Sequence, residues 1–204
     1  MYKLTKLDYS YQELEPFIDT HTMGLHYHKH ATNYLNKLNN LLIKNNYTFN
    51  YTLMELIYHI NEFPKNDQEN ILFNLGGVVN HNLYFKSMNP KNKNPEGNLK
   101  IAIDNKYGSL EKFWNSFKEK ALLLKGSGYT FFVLKNNGDL DIINLSNQEM
   151  PIILGYIPLF NVDMWEHAYY LNYKNEKEKY LDNFFEVADF SYADKLYNSI
   201  IKQK

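Results

Sequence analysis

After a mixed opening over 1–18, apolar residues recur at helical spacing through three stretches up to about residue 85, and the period then changes. Over about 19–44, Leu25, Leu35, Leu38, Leu42 and interleaved aromatics fall near a 3.6-residue repeat, which Asn45-Asn46 breaks. A second helical stretch is expected over about 52–59 and a third over about 67–85. Gly76-Gly77 lies inside the third. Glycine costs a helix interior roughly 1 kcal/mol relative to alanine, so two in a row point to something packed very close. Residues 88–97, MNPKNKNPEG, hold two prolines and no large apolar residue besides Met88. They mark the expected boundary between a helical part, 1–88, and a second part, 89–204. A helix is expected next over about 109–124, with Ser109 as N-cap and Glu111 in its first turn. YTFFVLK (129–135), Asn136-Asn137-Gly138 and DLDIINL (139–145) read as a β-hairpin. A third strand is expected over about 156–161, then helices over about 165–171 and 177–185. The expected fold class is α+β: a helical hairpin domain followed by an α/β domain with a small three-stranded antiparallel sheet.

Composition narrows the function classes. Of 204 residues, 44% are hydrophobic, with 18 Tyr and 13 Phe, enough for a packed interior. The net charge is -1, and all positive charge comes from Lys, with no Arg, which gives no reason to expect nucleic acid or an acidic membrane as partner. There is no Cys, so disulfides, thiolate ligands and a cysteine nucleophile are excluded. Any metal site must be built from His, Asp, Glu and water. The opening MYKLTKLDYS lacks the apolar run of a signal peptide, and no stretch is apolar for long enough to span a bilayer. The expected location is the cytoplasm.

Candidate chemistry centres on the seven histidines. His26, His30 and Tyr34 fall at i, i+4 and i+8, one stripe of a helix, while His28 points elsewhere. His81 sits in FNLGGVVNHNLYF, apolar surroundings that imply burial; its ring then needs a partner, either a metal or a backbone carbonyl. Asp163 follows an apolar strand and precedes a helix, where it is either an N-cap or a carboxylate paired with a cation. His167 lies four residues on, on the same face, and Glu166 projects about 100° round the helix from it. His21 and His59 have no such company. The Glu-x-x-His pairs of a di-iron bundle, the His-Glu-x-x-His of a zinc peptidase and the Gly-x-Ser-x-Gly of a serine hydrolase are all missing. What remains is a mononuclear site drawn from separated segments: His26, His81, and Asp163 with His167. Three imidazoles and a carboxylate suit a first-row metal such as manganese or iron.

These segments together resemble the iron/manganese superoxide dismutase family: HYHKH at 26–30 with Tyr34, FNLGGVVNH at 73–81, GSGY at 126–129, NQ at 147–148 and DMWEHAYY at 163–170. The resemblance covers nearly the whole chain. It implies His26, His81, Asp163 and His167 as ligands, one bound solvent, and a metal that cycles by one electron while superoxide becomes dioxygen and hydrogen peroxide. It implies that Gln148 hydrogen-bonds the solvent and that Tyr34 and His30 stand at the mouth, gating access and relaying protons. It also implies a homodimer, in which Glu166 bonds His167 of the partner subunit and Tyr170 reaches His30 of the partner subunit. Gly77, four before the second ligand, and Gln148 fit the manganese pattern, with Gly77 leaving room for the Gln148 side chain; iron is the other expected metal. Departures are Asn161, where Gly or Thr is common, Ala31 for a second His, Tyr129 for a Trp, and Lys177 for an Arg that helps draw superoxide inward. The alternative reading is a non-catalytic metal-binding relative of the same fold.

Overall fold

The computed structural model describes residues 1–202, so the last two residues of the expected 89–204 part lie outside it. The first part is helical. Helix α1 (Thr20–Leu25) runs into a π-helical stretch (His26–Ala31) and on into α2 (Thr32–Lys44). Asp19 caps α1 by accepting from the Thr22 amide. A short helix α3 (Leu53–Tyr58) starts from a Thr52/Glu55 capping box. Helix α4 (Lys65–Lys86) packs on α2 as the hairpin, over a core that includes Leu38, Leu42, Leu56, Ile71, Leu75 and Val78.

The second part holds α5 (Gly97–Tyr107), α6 (Leu110–Leu122), strands β1 (Gly128–Leu134), β2 (Leu140–Ser146) and β3 (Ile157–Asp163), then α7 (Glu166–Tyr173), α8 (Lys177–Glu186) and α9 (Ser191–Ile201). The sheet is antiparallel throughout, in the order β2-β1-β3, as the expected fold class requires. Ser109 caps α6 by accepting from the Lys112 amide.

Three expectations need correction. Helices α5 and α9 have no counterpart among the elements expected from periodicity. Helix α5 buries only Leu99 and Ile103 and leaves Ile101 exposed, too thin an apolar stripe to stand out. In α9 only Ala193 is buried, with Leu196, Tyr197 and Ile200 partly covered. Strand β3 runs two residues past its expected end, because Val162 and the polar Asp163 stay paired opposite Thr130 and Tyr129.

The 88–97 segment is closely tied down. Asn89 and Lys93 amides donate to the carbonyls of Val187 and Ala188 (2.7 and 2.9 Å), and the amides of Asp189 and Phe190 donate to those of Ser87 and Lys93 (2.9 Å each). One apolar core then runs through both parts, from Leu14, Met23, Tyr84 and Phe85 to Phe113, Phe132, Phe160 and Phe184.

Candidate metal centre

Four side chains from four elements meet where the two parts touch. His26 opens the π-helical stretch, His81 lies in the last third of α4, Asp163 ends β3 and His167 is in the first turn of α7. One potential ligand atom from each lies within 4.8 Å of the others. Asp163 Oδ2 is the hub: it stands 3.2 Å from His26 Nε2, 3.2 Å from His167 Nε2 and 3.8 Å from His81 Nε2. Its other oxygen, Oδ1, accepts the Trp165 amide at 2.8 Å, which fixes the carboxylate plane and aims Oδ2 at the imidazoles. Asp163 therefore belongs to the strand, and the N-cap of α7 is Trp165.

His26, His81 and Asp163 are fully buried. Burial alone pushes a carboxyl up; around Asp163 the neighbouring His167 and His26 outweigh it and hold the group well below the usual carboxylate range. Burial lowers His26 to about 4 and His81 to about 3, so both imidazoles are neutral at physiological pH. His81 Nδ1 donates to the Gly77 carbonyl at 2.6 Å, which leaves the lone pair on Nε2. That Nε2 is buried and has no hydrogen-bond partner. The backbone-bonded histidine and the ligand histidine are thus compatible here: one nitrogen serves each role. An unpartnered buried nitrogen costs free energy, and a cation shared with Asp163 Oδ2 would satisfy it. A donor set of three imidazoles and one carboxylate fits manganese or iron.

Around the four stand the remaining sequence candidates. The expected stripe borders the cluster, with the His26 and His30 rings 6.5 Å apart. His26 is buried, His30 is solvent-exposed with its ring stacked 4.1 Å from that of His167, and Tyr34 is half-buried with its ring 5.4 Å from that of His81. The Thr32 hydroxyl satisfies the Tyr27 carbonyl at 2.8 Å inside the wider turn. His28 faces away, as expected, 2.9 Å from the Tyr11 hydroxyl. Gln148 follows Asn147, whose φ of +52° turns the chain after β2 and sends the next side chain inward. Asn80 Nδ2 donates to Gln148 Oε1 at 3.3 Å, while Gln148 Nε2 is buried without a partner. Burial raises the Tyr34 phenol above its ordinary value, so it keeps its proton. Glu166 and Tyr170 are exposed on α7.

The glycine pair has a different assignment from the one expected. A Cβ on Gly76 would sit 1.9 Å from the Gln148 carbonyl oxygen, whereas one on Gly77 would meet the Tyr34 ring at 2.4 Å. Gly76 makes room for the Gln148 backbone and Gly77 for Tyr34, because successive helical positions face directions about 100° apart.

Sequence reasoning missed Asn80, and it notes Tyr129 only as standing where a Trp is common. The Tyr129 hydroxyl is fully buried, 3.3 Å from His81 Nδ1. Asn161, buried in β3, donates from Nδ2 to the Asn80 carbonyl at 3.1 Å and leaves its Oδ1 unpartnered.

Comparison with known families places this arrangement. Residues 1–89 match the alpha-hairpin domain of iron/manganese superoxide dismutases, and residues 95–196 match the C-terminal domain of the same enzymes. The chain belongs to the iron/manganese superoxide dismutase family. Members of this family bind manganese or iron and act on superoxide, and the four converging residues of this chain form the group that could hold such an ion. Among the described residues, no helix is long and apolar enough to cross a membrane.

Proposed function

We propose that this chain is an active superoxide dismutase, holding one manganese ion per subunit, or iron, through His26, His81, Asp163 and His167. The observation that carries the reading is His81 Nε2: buried, unpartnered, fixed as the lone-pair nitrogen by Gly77, and facing Asp163 Oδ2. A bound manganese or iron ion would supply one-electron cycling, by which one superoxide is oxidised to dioxygen and a second is reduced to hydrogen peroxide. The chain's own side chains supply the rest. Gln148, braced by Asn80, presents a buried amide donor beside the cluster. Tyr34 offers a protonated phenol, and exposed His30 stacked on His167 borders the route from solvent. Lys177, with Nζ 5.9 Å over the Tyr169 ring, is the cation proposed to draw superoxide inward.

Three finer points belong to the same proposal. The manganese preference rests on Gln148 arriving from the segment after β2 and on the lack of a side chain at Gly77. The homodimer uses Glu166 and Tyr170, both exposed on the helix that carries His167. The division at residues 88/89 separates the two ligand pairs, and the cytoplasm is the proposed location.

The test is superoxide consumption by metal-free protein reloaded separately with manganese and with iron at matched occupancy. Consumption with manganese alone supports the full reading. Activity with iron alone overturns the metal preference and keeps the enzyme. Silence with both metals at full occupancy overturns the enzyme and leaves a non-catalytic metal-binding relative.

A further inference from the structure

Strand β3 lies at the open edge of the sheet. The Met164 amide donates to the Gly128 carbonyl at 2.9 Å, so Asp163 opposite Tyr129 is a pair without mutual backbone bonds. The peptide groups of Asp163 therefore face outward, away from β1, and an outward carbonyl at a buried edge needs a partner. Tyr180, fully buried on α8, supplies it: its hydroxyl donates to the Asp163 carbonyl at 2.9 Å. With that proton committed, the fully buried Tyr84 hydroxyl on α4, 3.1 Å away, must donate to the Tyr180 oxygen. The Tyr84 ring in turn lies 5.0 Å from the ring of His26. Two phenols thus join the first part of the chain, through α4, to the backbone of the carboxylate residue in the second part.

We propose that Tyr180 and Tyr84 are positioning residues for the metal centre. They hold the Asp163 peptide unit from outside the sheet, so that Oδ2 stays at the focus of the three imidazoles. The inference rests on the proposed metal ligation and is independent of turnover. Clamping Asp163 at both its Oδ1, through the Trp165 amide, and its carbonyl, through Tyr180, leaves the side chain little freedom to turn away. Partners that orient a ligand from behind typically change metal affinity about 10–100-fold when removed.

The experiment compares manganese-loaded wild type, Tyr180→Phe, Tyr84→Phe and Tyr9→Phe. Tyr9 is the matched control, because its hydroxyl donates at 2.8 Å to the carbonyl of Phe85 on α4 and touches none of the four candidate ligands. The readouts are the rate of manganese loss to excess chelator, the visible spectrum of the loaded protein and the unfolding midpoint of the metal-free form. We expect Tyr180→Phe to lose manganese on the order of tenfold faster than wild type, with a shifted spectrum. Tyr84→Phe should show a smaller acceleration, and Tyr9→Phe should lower only the midpoint. Manganese loss from Tyr180→Phe at the Tyr9→Phe rate overturns the inference. If Tyr180→Phe does not fold, Tyr84→Phe decides in the same way. Superoxide consumption is read on the same samples, so a silent wild type whose Tyr180→Phe variant still sheds manganese faster supports the positioning role and counts against the enzyme.

Discussion

His26 and His81 reach the cluster from within long helical stretches, whereas Asp163 and His167 reach it from the end of a strand and the first turn of a helix. The first pair depends on how closely helices approach. His81 is placed by α4, and α4 can lie where it does because Gly76 and Gly77 carry no side chain toward Gln148 and Tyr34. The second pair depends on hydrogen bonds at chain ends: the Trp165 amide on Oδ1 and the Tyr180 hydroxyl on the carbonyl of Asp163. Packing without side chains has no slack, because its neighbours are already in contact. Hydrogen-bonded ends lose one bond at a time, each worth about 1 kcal/mol net, or about 1–3 kcal/mol where a buried partner is left unpaired.

That contrast can be broken by substitution. Gly76→Ala should have the largest effect, because its Cβ would fall 1.9 Å from a backbone oxygen, which cannot rotate away. A loss of about 3 kcal/mol or more in denaturant unfolding is expected, the upper end for overpacking, along with reduced manganese occupancy. Gly77→Ala meets the Tyr34 ring, which can shift, so about 1–2 kcal/mol is expected. If the two alanines were equally harmless, the close-approach account of the first pair would fail.

Acid should act chiefly through the first pair. His26 and His81 titrate near 4 and near 3 in the folded chain, against 6.5 when unfolded. The unfolded chain therefore binds more protons below that value, and stability is lost as the pH falls. The contribution is complete above about pH 6.5 and declines as the pH drops through about 4 and then 3. Asp163, held below its usual range, adds a loss of the same sign in stronger acid. Thermal unfolding of the metal-free protein should show a clearly lower midpoint in mild acid, between the folded and unfolded histidine values, than at neutral pH. An unchanged midpoint would mean that these imidazoles already carry protons in the folded state. At the small end, Ser109→Ala removes the cap of α6, far from the cluster, and should cost about 1 kcal/mol with manganese retention untouched.

Much of this was legible in the sequence, and the omissions have physical causes. Glycines inside an otherwise regular helix announce a close contact, but one-dimensional spacing cannot say which glycine faces which partner. The hairpin, the α6 cap and the three strands follow from period and turn chemistry. Helix α5 stays hidden because Leu99 and Ile103 are its only buried side chains, and it begins in a stretch rich in Pro, Asn and Lys. The π-helical turn at His26–Ala31 leaves no mark in a 3.6-residue pattern. The ligand candidates stand out by residue type, since histidine is scarce. Asn80 and Tyr180 do not, because a chain with 18 Tyr and abundant Asn gives no hint of which ones carry a buried hydrogen bond.

The proline-bearing segment between the two parts has a consequence for how the protein is made. Residues 87–93 are laced to residues 187–190, and His26 is separated from Asp163 by 137 positions. A nascent chain emerges from its N-terminus, and its hairpin can form early from local contacts. The cluster cannot. Two histidines must wait until β3 and the helices after it have been made and close the seam. On the proposed ligation, metal acquisition would follow the making of that strand and those helices, and whichever ion is at hand when the seam shuts would have the first claim on the site.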